Sequence, residues 1–84
     1  MILKQLLEII DERTMIDIVE IATGENGREQ EVRIYGETKN TEYPLIMFKY
    51  LDYKVIKIKN ETWSYGSGIL NIFIKKENKY EKEN

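Results

Sequence analysis

Two residue types that carry much of protein chemistry are missing from this chain, which has no cysteine and no histidine. Their absence excludes disulfides, thiolate and imidazole metal ligands, cysteine nucleophiles and every acid–base relay built on imidazole. No catalytic residue, no metal site and no cofactor is therefore expected. Proline occurs once, at Pro44, and tryptophan once, at Trp63. Also missing are a basic leader with an apolar stretch behind it and any run of about 18 apolar residues, so neither export nor membrane insertion is expected. The chain reads as soluble and cytoplasmic.

What is present suits one small core. The 84 residues are 42% hydrophobic and 33% charged, near the lower size at which a domain folds without staples. Residues 1–42 hold ten acids and five bases, whereas residues 43–84 hold five acids and eight bases. A polyanion binder is usually basic throughout and a nucleic-acid mimic far more acidic, so nucleic acid is a disfavoured partner.

Leu3, Leu6, Leu7 and Ile10 recur at helical spacing, with Lys4, Gln5, Glu8 and Asp11 on the other side. This predicts an amphipathic helix over residues 2–11. From Thr14 to Ile21 the pattern alternates, with Ile16 and Ile18 on one face and Met15, Val19 and Ile21 on the other. Asn26-Gly27 then signals a type I′ turn, and the returning strand places Val32 and Ile34 inward and Glu31, Arg33 and Tyr35 outward. Pro44 suits the first position of a short helix with Leu45, Phe48 and Leu51 as its buried stripe. Ile46, Met47 and Tyr50 make that segment apolar nearly all round, so it is either deeply buried or awaiting a partner.

A second hairpin spans Tyr53 to Lys75. Its arms put Ile56 and Ile58, with Leu70, Ile72 and Ile74, on one face; Tyr53, Val55, Lys57 and Lys59, with Ile69, Asn71 and Phe73, take the other. The expected architecture is α+β in the order α-β-β-α-β-β. It forms a four-stranded, mainly antiparallel sheet with the N-terminal helix on one face, in a single domain over residues 1–75 with a flexible charged tail at 76–84. One helix leaves the second face half apolar. A homo-oligomer buried through Val19, Tyr53, Val55, Ile69 and Phe73 is therefore expected.

The segment between the arms, NETWSYGSG, offers the best candidate site. Trp63 and Tyr65 are rings on which a base can stack; Ser64, Gly66, Ser67 and Gly68 let backbone N–H groups and hydroxyls approach a phosphate, with Lys57 and Lys59 nearby. A plainer reading makes Asn60-Glu61 the turn and the glycines a bulge. The spacing is not that of a P-loop, and Ser64 and Ser67 lack a partner base. Asp11, Glu12, Asp17, Glu29 and Glu31 lack a metal-loop pattern and read as solvated charges, and the lysines between 49 and 59 read as protection of an edge strand.

Taken together, ILKQLLEIIDERTMIDIVEI, the Asn-Gly hairpin ending in RIYG and the later LDYKVIKI resemble a pattern in short phage and prophage proteins of low-GC Firmicutes. The resemblance covers about two thirds of the chain. It implies an accessory protein without catalytic residues that binds a host protein stoichiometrically in the bacterial cytoplasm, for instance to inhibit a host defence. The alternatives are an oligomeric sponge for a small nucleotide ligand and a nucleic-acid-binding module.

Overall fold

The computed structural model describes residues 1–62 and 68–76. In order, these form helix α1 (Leu3–Ile9), strands β1 (Met15–Thr23) and β2 (Glu29–Lys39), a 3-10 helix η1 (Leu45–Tyr50), and strands β3 (Lys54–Thr62) and β4 (Gly68–Lys75). The class is α+β. The named strands lie in the order β2-β1-β4-β3. Each hairpin is antiparallel, but β1 and β4 meet at the centre in parallel, with Met15 beside Ile69 and Glu20 beside Ile74. An antiparallel bridge from Ile2 to Lys54 adds a rudimentary fifth strand outside β3, beyond the four expected. From residue 77 onward the expected tail lies outside the described residues.

That bridge also solves the problem of starting α1. A helix leaves its first N–H groups without partners, and here Leu3 and Lys4 donate to the carbonyls of Tyr53 and Leu51 at 2.8 Å each, while Gln5 Oε1 accepts from the Ile2 N–H at 2.9 Å. The helix therefore begins on the segment that links η1 to β3. At its other end, Asn40 Nδ2 donates to the carbonyls of Leu7 and Ile10 at 2.8 and 3.0 Å. α1 is capped at both ends by distant residues, which lets a helix of seven residues persist.

The core lies between α1, η1 and one sheet face. Leu3, Leu6 and Leu7 meet Ile16, Ile18, Ile72 and Ile74, with Met47 and Tyr50 closing the side. Burying each such chain is worth about 1.5–3 kcal/mol. In η1 the expected stripe is wrong by one row. A 3-10 helix has three residues per turn, so positions three apart line up. Met47 and Tyr50 form the buried row, whereas Leu45 and Phe48 face outward.

Bulges revise other face assignments. A register shift between Val55 and Lys57 puts Val55 opposite Ile74, packed against the core, and leaves Ile56 exposed. Ile58 lies opposite Ile72 yet stays exposed on its outer strand. In β2, shifts on both sides of Ile18 bring Tyr35 opposite it and against the core. The Tyr35 hydroxyl donates to the Glu42 carbonyl at 3.1 Å, and Val32 is exposed. A bulge adds one residue to one strand and reverses the alternation beyond it, which a strict period of two does not reveal. The first hairpin turn differs as well: Gly27 N–H donates to the Gly24 carbonyl at 3.0 Å. Asn26-Gly27 thus occupies the last two places of the turn rather than its centre, and Gly27 takes the left-handed conformation at φ 80°.

Candidate functional site

Of the residues that sequence placed at a site, Trp63, Ser64, Tyr65, Gly66 and Ser67 lie outside the described residues. Gly68 pairs with Thr62 and opens β4. β3 runs past Lys59 through Asn60 and Glu61, so these two are strand rather than loop or turn. Lys57 and Lys59 both lie on the sheet face away from α1, across from Phe73 and Asn71. Lys57 is engaged there: its Nζ stands 4.9 Å from the centroid of the Phe73 ring, a cation–π contact.

The open face is less bare than its pattern implies. Ile69 is buried, and Val19 and Phe73 are half-buried. Two of the residues assigned to an oligomer interface leave this face: Val55 through its bulge, and Tyr53 by packing against the core, edge-on to Tyr50 at 5.0 Å between ring centroids. The centre of the face is polar. Asp17 lies beside Asn71 and accepts from Arg33 Nη2 at 3.0 Å. Arg33 reaches it by lying over Gly36, where any Cβ would collide with the guanidinium. Asn71 is 7% exposed and its Nδ2 has no acceptor among the described residues. A hollow of about 400 Å³ beside it is lined by Asp17, Glu31, Arg33 and Glu61.

A larger cleft, about 750 Å³, opens between α1, the loop after β2, and η1. Tyr43 and Phe48 form one wall as an edge-to-face pair 6.2 Å apart, Leu7 and Leu51 line it, and Lys4, Glu8, Asp11 and Glu12 supply the charge. Next to it three apolar side chains of η1 stand exposed: Leu45 by 81%, Ile46 by 57% and Phe48 by 54%. Sequence named the segment as either deeply buried or awaiting a partner; of Ile46, Met47 and Tyr50, which it placed around the expected stripe, Ile46 is exposed and the other two are buried.

Tyr53, at the base of this layer, has its phenol pushed above the usual tyrosine value, chiefly by burial and then by the negative charge of Glu20. Among the described residues no group of three or more Asp or Glu side chains is placed to hold a metal ion, and no helix is long and apolar enough to cross a membrane. No protein-family model, curated protein or solved structure matches this chain.

Proposed function

We propose that this chain is a non-enzymatic binding protein that attaches stoichiometrically to another protein, and that, in line with its resemblance to phage accessory proteins, the target is a bacterial host protein and the effect inhibitory. The observation that carries this reading is η1. Leu45, Ile46 and Phe48 are held out in water by an element whose Met47 and Tyr50 are locked in the core. Apolar anchors on a rigid support lose little conformational entropy on docking, which is how a small interface gains affinity.

The test is affinity capture from infected host lysate with the full chain and with a Leu45→Asp/Phe48→Asp variant checked for unchanged circular dichroism. One captured protein in near-equimolar ratio, lost with the variant, is the expected result. Equal capture by both removes η1 from the interface, and turnover of nucleotides, peptides or glycans by the purified chain overturns the reading. Sequestration of a small nucleotide draws little from the described residues, because Asp17, Glu31 and Glu61 around the hollow on the open face would repel phosphate. Self-association through that face is a second reading, supported by the part-exposed Val19 and Phe73; light scattering tests it, and a monomer at high concentration rejects it.

A further inference from the structure

The cleft beside η1 has a chemical sign. Among the described residues, Glu8, Asp11 and Glu12 line it and form no ion pair, and Lys4 is the one cation on the same wall. Asp11 has one oxygen engaged, accepting from the Arg13 N–H at 2.7 Å. Asn40, also on the wall and 7% exposed, spends its amide hydrogens on the Leu7 and Ile10 carbonyls; its Oδ1 is buried with no donor among the described residues. A buried acceptor without a donor calls for an explanation. Asn40 shares the cleft wall with the three acids and with the ring pair Tyr43–Phe48.

We infer that this cleft receives an arginine side chain of the bound protein, on a segment whose flanking apolar residues cover Leu45 and Ile46; the inference rests on the binding role proposed above. Charge complementarity selects a cation. Guanidinium rather than ammonium follows from shape: it brings five donors in a plane, can bridge carboxylates in pairs, and stacks on aromatic faces. A phosphate or carboxylate ligand would meet three acids and one lysine.

The probe is acetyl-Leu-Arg-Leu-amide, titrated into the isotope-labelled full chain and followed by amide NMR, with the uncharged citrulline analogue as control. Shifts at Glu8, Glu12, Phe48 and the Asn40 side-chain amide are expected, with about tenfold weaker binding of the citrulline peptide. A Glu8→Gln/Glu12→Gln variant, altered only at exposed positions, should erase the difference between the two peptides. Equal affinities for both peptides, shifts confined to other surfaces, or no shifts overturn the inference. The lysate capture separates the two levels. A host protein held equally well by wild type and the Glu8→Gln/Glu12→Gln variant rejects the arginine site and leaves binding intact. If wild type captures nothing, the binding role fails, and the peptide titration still decides the chemistry of the cleft.

Discussion

The two faces of the sheet cover their apolar residues by different means. On the closed face, isoleucines from β1 and β4 meet leucines of α1, and the polar groups nearby are largely backbone, used up in capping the helix. On the open face no helix of the described residues lies across the strands. There Lys57 spans the Phe73 ring, Arg33 folds over Gly36 to Asp17, and Asn71 sits among them. Long cationic side chains carry apolar stems that cover a surface while their heads stay wet. Apolar residues on a second face therefore do not by themselves require a second subunit.

Neighbouring substitutions probe this contrast most strongly. Ile72→Ala on the closed face should cost about 3–4 kcal/mol, and Phe73→Ala on the open face, despite its larger side chain, about 1–2. Urea denaturation of the two variants measures it, and equal losses would mean that the faces are packed alike. The two buried asparagines come next. Asn40→Ala removes both hydrogen bonds of the C-terminal cap of α1 and should cost about 2 kcal/mol, whereas Asn71→Leu removes a donor unpaired among the described residues and should stay within about 1 kcal/mol of wild type in the same assay. A large loss at Asn71 would point to a polar contact essential to the open face.

Smaller again is the ion pair. Arg33 is more than half exposed, so Arg33→Ala should lose about 1 kcal/mol or less, with the deficit shrinking in high salt. The smallest effect lies at alkaline pH. Because the Tyr53 phenol is raised in the folded chain, the unfolded chain releases that proton first; stability is full below about pH 10 and falls as pH rises through the folded value. Tyr53→Phe should flatten that limb in denaturation curves taken at successive pH values, and an unchanged limb would assign it to other groups.

Sequence spacing reads part of this molecule well. Leu3, Leu6 and Leu7 mark α1, and Ile16, Ile18, Leu70, Ile72 and Ile74 mark the closed face, since each pattern is local and strongly periodic. It fails where a tertiary choice decides between equal local options. In η1 the rows Leu45-Phe48 and Met47-Tyr50 are both apolar, and only the fit against α1 selects the second. The bulge at Val55 reverses alternation without any glycine or proline to announce it, and of the two shifts around Ile18 only the first has a glycine, Gly36, in the partner strand. Of the candidate site, the apolar segment and the shared face of Lys57 and Lys59 were legible. The acidic cleft was not, because Glu8, Asp11 and Glu12 look like ordinary solvated charges until Asn40, Tyr43 and Phe48 are brought opposite them.

The parallel pairing of β1 with β4 also has a consequence in time. The two hairpins can form early from local contacts, but their union joins Met15 to Ile69 and closes a loop that includes most of the chain, a slow and entropically costly step. During synthesis β4 emerges after every element it joins. Until then, β1 carries an apolar strand with one bare edge, the kind of edge that pairs with other chains. Chains cut short before Gly68 are expected to aggregate rather than to persist as a helix and a lone hairpin.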